Sequence, residues 1–205
     1  MSKEKINFTK HLLLCKVTKA EIRKQYKILR SNISSKEKLR LDDLLLLQFQ
    51  QVDCSAFETL FTFWPMAHQN EPNTLLFSSY LRHFVPNLQI SYPKSDFDTH
   101  EMQAILIDED TIYKTNEQGI TEPKLGEIIN PKTIDVTFVP LLVCDKNGFR
   151  VGYGKGFYDK FLSACNPNII KIGFSYFEPI DKIEDTNSFD VPLTYCITPD
   201  NIYEF

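Results

Sequence analysis

The chain has 205 residues, of which 42% are hydrophobic, and a formal net charge of −4. That length fits one domain over residues 1–205, with 1–17 read as a flexible N-terminal extension, and the apolar content excludes global disorder. The acidic balance gives no general attraction to nucleic acid, and the apolar runs Leu12–Cys15 and Leu44–Leu47 are too short for a signal peptide or a membrane span.

Thr18 with Glu21 three residues later has capping-box form, and residues 19–31 then run with helical periodicity. Ser34 with Glu37 repeats the signature and opens a second amphipathic helix to about Gln51. The basic residues before position 40 alternate with apolar ones at helical spacing, which reads as a solvated helix face. Leu60–Trp64 is aromatic-rich and halted by Pro65, which predicts a buried strand. The loop Pro65–Pro72 leads to Asn73, an N-cap for a helix over 74–84.

Leu88–Tyr92 predicts a second strand. Met102–Ile107 and Thr111–Tyr113, parted by Asp108-Glu109-Asp110, predict a hairpin. Residues 116–132 hold Gly119, Pro123, Gly126 and Pro131 and read as an ordered, functional loop. Ile134–Cys144 is too continuously apolar to have a wet face and is placed centrally in a sheet. A turn at Asp145–Gly148 and a glycine stretch follow, then a helix over 157–165 and a strand at Ile169–Phe174. That order is a βαβ unit with a parallel sheet, so the architecture is α/β. A last strand is expected at Tyr195–Thr198. Five cysteines without a Cys-x-x-Cys, and four scattered histidines, suit reduced thiols in a cytoplasm better than a disulfide framework or a zinc site.

The chemistry concentrates at residues 150–159. Gly152, Gly154 and Gly156 alternate at a strand-to-helix junction, where glycines let backbone N–H groups approach an anion and permit positive φ. The helix that follows turns its positive end to the same place, and Arg150 and Lys155 add fixed charge. A phosphate fits there, although a tight structural turn would use the same glycines. Neither common nucleotide motif matches: Lys155 is followed by Gly156 rather than Ser or Thr, and position 157 is Phe rather than a third Rossmann glycine. Asp159, in the first helical turn, reads either as a partner of the helix dipole or as a Mg²⁺ ligand. Tyr153, Phe157 and Tyr158 read as stacking surfaces or as core.

From Pro140 to Asp159 the sequence resembles the 5-formyltetrahydrofolate cyclo-ligase family. The match is carried by Pro140, Asp145, Gly148, Arg150, Gly152, Gly154, Lys155, Gly156, Phe157, Tyr158 and Asp159, and continues more weakly from Lys19 to the C-terminus. Ile120-Thr121-Glu122-Pro123 resembles the family's I-x-E-P loop, and Asp190-Val191-Pro192 its D-V-P. The chain departs from the pattern at Leu141, where the family has glycine, and at Thr194, where an acid is frequent.

The resemblance implies a three-layer Rossmann-like sandwich with a mostly parallel central sheet and N-terminal helices. It implies ATP-dependent closure of 5-formyltetrahydrofolate to 5,10-methenyltetrahydrofolate, with Mg²⁺ as cofactor and ADP and phosphate as products. The implied ATP site is Lys19, Arg23 and the run Arg150, Val151, Gly152, Tyr153, Gly154, Lys155, Gly156, Phe157, Tyr158, with Lys155, Arg150 and Tyr158 catalytic. Met66, Glu71, Tyr153 and Phe157 would bind folate, and Asp159 and Asp190 would hold the metal. Without the resemblance, Lys19 and Arg23 would read as solvated, Met66 as core and Glu71 as a charge near a helix start. The expected partners are small molecules, a reduced folate and ATP, acting on a cytoplasmic monomer with no nucleic-acid or membrane contact. Two rivals stand beside this reading: a phosphosugar isomerase or transferase using a carboxylate base without Mg·ATP, and a non-catalytic nucleotide or folate sensor.

Overall fold

The computed structural model describes residues 18–205; the extension expected at 1–17 lies outside them. Helix α1 (Lys19–Ser31) starts at the capping box. Thr18 Oγ1 accepts from the Glu21 N–H, and the Glu21 carboxylate accepts from the Thr18 N–H at 2.9 Å. Helix α2 (Ser35–Phe49) is capped by Ser34, whose hydroxyl accepts from the Glu37 N–H at 3.2 Å, and ends slightly before Gln51. Strand β1 (Thr59–Phe61) is shorter than its aromatic run, because the chain leaves the sheet before Phe63 and Trp64. Helix α3 (Thr74–Phe84) begins where Asn73 accepts from the Leu76 N–H at 3.3 Å.

The strands that follow are β2 (Gln89–Asp96), β3 (Glu101–Leu106), β4 (Tyr113–Thr115), β5 (Thr121–Pro123), β6 (Ile128–Ile129) and β7 (Val136–Phe138). After them come β8 (Val143–Cys144), β9 (Arg150–Val151), α4 (Phe157–Ala164), β10 (Ile170–Phe174), β11 (Tyr195–Ile197) and β12 (Ile202–Glu204). The expected hairpin between 102–107 and 111–113 does not form. Instead β3 pairs antiparallel with β2, and β4 pairs with β5. The acidic triplet only bends the chain, with Asp108 accepting from the Asp110 N–H at 3.1 Å. The turn that reverses it is Asn116–Gly119, where Asn116 Oδ1 accepts from Gln118 and Ile120 N–H groups and Gly119 sits at φ 77°. The stretch 116–132 therefore holds two strands as well as loop.

Eight strands form the main sheet in the order β12-β11-β10-β7-β1-β2-β3-β6. The five from β11 to β2 are mutually parallel; β12 and β3 run antiparallel to them, and β6 pairs antiparallel with β3. β7 lies centrally between β1 and β10, but only Val136–Phe138 of the strand expected over Ile134–Cys144 belongs to this sheet. The chain leaves it before Pro140, and Val143–Cys144 pair with β9 in a separate hairpin. Alternate residues feed opposite faces. Leu60, Val136, Phe138, Ile172 and Phe174 pack under α2 and α3, against Phe49 and Phe77. Phe61, Val139 and Cys196 pack under α4, against Phe161 and Leu162. The result is an α/β sandwich of three layers with a mostly parallel sheet.

This topology places a crevice. The chain leaving β1 passes to α3 on one face and the chain leaving β7 to α4 on the other. The carboxyl ends of β1 and β7 are therefore a switch point, where open α/β sheets bind ligands. The β8–β9 hairpin projects there and delivers the glycine stretch. Buried Asp145 holds its turn, accepting from the N–H groups of Asn147 at 2.9 Å, Phe149 at 3.0 Å and Ile183 at 3.0 Å. Asp145→Ala leaves those donors unpaired and is expected to cost about 3 kcal/mol or more, read as a lower urea midpoint.

Candidate active site

A cavity of about 530 Å³ opens at the switch point. One wall comes from the ends of the parallel strands and their exits: Phe63, Trp64 and Met66 after β1, Pro93 and Ser95 in β2, and Pro140 after β7. The opposite wall is the glycine stretch with the start of α4, and the basic face of α1 closes one side. Gln118 and Ile120, at the tip of the β4–β5 hairpin, overhang it. A second cavity of equal volume, between α3 and β2, contains none of the residues singled out from sequence.

Two of the three glycines are required by backbone conformation. Gly154 has φ +90° and Gly156 φ +74°, a region that costs other L-residues roughly 1–2 kcal/mol. Gly156 is the N-cap of α4 and offers no side chain to its orphan N–H groups, which stay available to an anion in the cavity. Gly152 has ordinary φ and borders the Pro140 carbonyl.

Helix α1 grips this loop with residues spaced by four, four and three. Lys19 reaches Asp190 at 2.5 Å. Arg23 donates through Nε to the Gly152 carbonyl at 2.8 Å, and its guanidinium carbon would lie 3.1 Å from any Cβ placed on Gly154. Lys27 stands over the Tyr153 ring, 5.5 Å from its centroid, and Arg30 donates to the Tyr153 hydroxyl. Sequence reading found Lys19 and Arg23 but missed Lys27 and Arg30, although they continue the same helical stride.

Both proposed metal carboxylates line the cavity, and each meets a cation. Arg150 donates to Asp159 Oδ1 at 2.9 Å and to the Val191 carbonyl, while the Val191 N–H also binds Asp159 Oδ1. Burial pulls the Arg150 guanidinium below its usual pKa, and the Asp159 charge opposes that shift. Asp190 Oδ2 takes Lys19 and the Asn187 N–H at 2.7 Å. Asp159 Oδ2 and Asp190 Oδ1 have no hydrogen-bond partner among the described residues. Nor is there, among them, a group of three or more ligating side chains that could hold a metal ion by itself. Two free carboxylate oxygens beside the uncapped N-terminus of α4 nonetheless suit Mg²⁺, which takes one or two carboxylates and completes its shell with phosphate and water.

On the other side, Glu71 is buried at 2% exposure. Its Oε2 accepts from the Met66 N–H at 2.7 Å and its Oε1 from the Tyr153 hydroxyl at 2.5 Å. Burial raises the Glu71 carboxyl above its ordinary pKa, and those two donors oppose the shift. Burial likewise pushes the Tyr153 and Tyr158 hydroxyls upward, so both stay protonated. The Tyr158 hydroxyl has no partner among the described residues, and its ring lies 6.1 Å from Phe61 and 6.5 Å from Phe63. Phe157 meets Phe97 at 5.1 Å. Lys155 is exposed on the rim, with no ion pair among the described residues.

Of the ATP, folate and metal residues expected from the resemblance, only Val151 stays outside the cavity wall. Its side chain packs with Ile22, Val143 and Ile183 beneath α1. Phe63, Trp64, Phe97 and Gln118 are wall residues that no local motif marks, whereas Ile120 at the hairpin tip opens the I-x-E-P stretch.

Residues 15–199 match the profile of the 5-formyltetrahydrofolate cyclo-ligase family. The chain belongs to that family. The family is one of ligases. Among curated relatives, the chain is 39% identical over 69 residues to the 5-formyltetrahydrofolate cyclo-ligase of Mycoplasma genitalium, covering 33% of this chain and 42% of that protein. It is 36% identical over 102 residues to that of Haemophilus influenzae, covering 47% and 54%. The aligned part thus spans about half the length of these relatives. Among solved structures it is similar to 5,10-methenyltetrahydrofolate synthetase from Aquifex aeolicus, with TM-score 0.75, 25% identity, and 91% and 92% of the two chains covered. The synthetase from Mycoplasma pneumoniae gives TM-score 0.68 and 27% identity, with 88% and 98% covered.

The two departures from the cyclo-ligase pattern have local explanations. Leu141 turns its side chain into the core beside Cys144 and Leu193, and its carbonyl accepts from Arg30 at 3.0 Å. Thr194 accepts from the Lys171 N–H at 3.1 Å, on the sheet. Gly154→Ala adds strain at positive φ and crowds Arg23. It is expected to lower stability by about 1–2 kcal/mol and to speed amide exchange at residues 152–156, which hydrogen-exchange mass spectrometry would show.

Proposed function

We propose that this chain converts 5-formyltetrahydrofolate to 5,10-methenyltetrahydrofolate, using Mg·ATP and releasing ADP and phosphate. The observation that carries the proposal is the pairing of two unlike walls in one cavity, in a member of the cyclo-ligase family. A glycine loop at a helix N-terminus, with its cations and two carboxylates, faces a buried acceptor set among aromatic rings. The first wall suits a nucleotide triphosphate and the second an aromatic heterocycle with N–H donors.

In this reading the formyl oxygen attacks the γ-phosphorus as the bond to ADP breaks. The phosphorylated formyl carbon is then attacked by N10 of the same folate, phosphate leaves, and N10 gives up its proton as the ring closes. Because nucleophile and electrophile belong to one substrate, the protein's work is positioning and charge neutralisation. The N–H groups at Gly154–Phe157, with Lys155, Arg150, Lys19 and Arg23, would hold the phosphates. Tyr158 would donate its unpartnered proton to the reacting oxygens. Met66, Glu71, Tyr153 and Phe157 would hold the folate. Asp159 and Asp190 would hold Mg²⁺ through their free oxygens, and the ion would neutralise charge on the transferring phosphoryl group. The buried Cys54, Cys144, Cys165 and Cys196 suit a reducing cytoplasm. Among the described residues no helix is long and apolar enough to cross a membrane. We read the acting unit as a monomer.

The test is purified protein with 5-formyltetrahydrofolate and Mg·ATP, followed by the near-ultraviolet absorbance of the methenyl product. An ATP-dependent rise is expected, abolished by EDTA and restored by added Mg²⁺; a rise that ignores EDTA would remove the metal from the scheme, and no rise at all would remove the activity. Lys155→Ala should lower kcat/KM by about 10²-fold or more if it neutralises the transferred phosphoryl group. An unchanged rate would take Lys155 out of the site.

A further inference from the structure

The acceptor wall of the cavity depends on a residue that does not line it. Arg30, near the end of α1, is 2% exposed. Its Nη1 donates to the Leu141 carbonyl at 3.0 Å and its Nη2 to the Tyr153 hydroxyl oxygen. A guanidinium only donates, so the proton of Tyr153 cannot point back at Arg30. It is left to Glu71 Oε1, 2.5 Å away. The loop that carries Met66 and Glu71 is tied to the same corner. Asn70 Nδ2 donates to the carbonyls of Arg30 at 3.1 Å and Ile33 at 3.2 Å.

We propose that Arg30 is a positioning residue: by occupying the hydroxyl oxygen of Tyr153 it turns the Tyr153 proton onto Glu71, and so presents Glu71 to the cavity as an acceptor for the N–H donors of the substrate's heterocycle. This rests on the cavity taking a reduced folate, as proposed above. An ionised carboxylate has about four acceptor sites. Met66 and Tyr153 fill two, which leaves places for neighbouring ring and amino N–H groups. A protonated Glu71 would turn one of those acceptor places into an O–H donor and leave fewer for the substrate.

The charges around Glu71 bear on this. Arg30 faces it from α1, with Lys27 across the Tyr153 ring. His68 faces it from the 67–69 turn and Tyr158 from α4. The Tyr176 hydroxyl approaches the Glu71 carbonyl at 3.4 Å and donates to Asp42 of α2 at 2.7 Å. Burial raises the Glu71 pKa, while Arg30 and His68 lower it. Removing Arg30 must therefore raise it further, and Glu71 becomes protonated at a higher pH.

Steady-state kinetics of Arg30→Met, Arg30→Lys, Tyr153→Phe and the Arg30→Met/Tyr153→Phe double variant test the proposal. Arg30→Met should raise KM for 5-formyltetrahydrofolate about tenfold or more, leave KM for ATP within about twofold, and move the acid limb of kcat/KM for the folate to higher pH. Arg30→Lys should recover part of the loss. Tyr153→Phe should show the same folate defect, and the double variant should be no worse than either single one. Independent, multiplying effects would overturn the proposal, as would a joint rise of both KM values or an unmoved acid limb. If Arg30→Met does not fold, Arg30→Lys and Tyr153→Phe carry the same comparison. If the wild-type protein turns over no folate, the activity proposal falls by itself. Arg30 is then judged by a ¹³C NMR titration of Glu71 in the ligand-free protein: a higher midpoint in the Arg30 variants supports the role, and an equal one overturns it.

Discussion

The site depends on contact between the basic face of α1 and the glycine loop at 152–156. That loop has little means of holding itself: two glycines sit at positive φ, and no regular ladder continues past Val151. Ordering such a segment costs about 1–2 kcal/mol per residue in backbone entropy. Charge-assisted bonds of about 1.5–3 kcal/mol each offset part of it, from Arg23 to the Gly152 carbonyl and from Arg30 to Tyr153. Beneath them Ile22 packs on Val143, Val151 and Ile183, so α1 is anchored to the β8–β9 hairpin by apolar burial as well as by charge. A helix that would be solvated in isolation thereby becomes a wall.

The same contact explains the charge arrangement. A cavity lined by Lys19, Arg23, Lys27, Arg150 and Lys155 would repel itself if every cation were bare. Pairing Arg150 with Asp159 and Lys19 with Asp190 relieves this, and it is a requirement for Arg150, whose side chain is only 5% exposed. The carboxylates keep one free oxygen each, so the pairing does not use up their capacity as ligands. Across the cavity the logic is reversed. A single buried carboxylate, Glu71, is held by neutral donors and by a cation one residue removed. One end of the cavity presents cations and uncapped N–H groups, the other a buried hydrogen-bond acceptor.

Much of the fold could be read along the chain because its signals are local. The Thr18–Glu21 box, the Ser34 cap and the Asn73 cap each involve groups within three residues of one another, and all three form. The apolar run at Ile134–Cys144 supplies the central strand β7 only over Val136–Phe138, where every side chain is buried; Asp135 before it is exposed and Val143–Cys144 beyond Pro140 join a separate hairpin. The hairpin at 102–113 was misread because strand pairing is a choice among distant partners. Glu101–Leu106 had a longer match in Gln89–Asp96, and the acidic triplet lacked the positive-φ residue that reverses the chain at Gly119.

By itself the sequence determined the caps, the α/β order of elements, the glycine loop and, through its family pattern, most of the cavity's wall. These are local or patterned properties, set by side-chain chemistry within a few residues. Tertiary structure alone decided which side chains meet: that Val151 turns into the core, that Lys27 and Arg30 join the basic face, and that Asp190 pairs with Lys19 from 171 residues away. It also decided that Glu71 receives its proton donor from Tyr153, and Tyr153 its orientation from Arg30. Such contacts arise only when sheet order brings separate segments to one switch point, and no spacing along the chain encodes them.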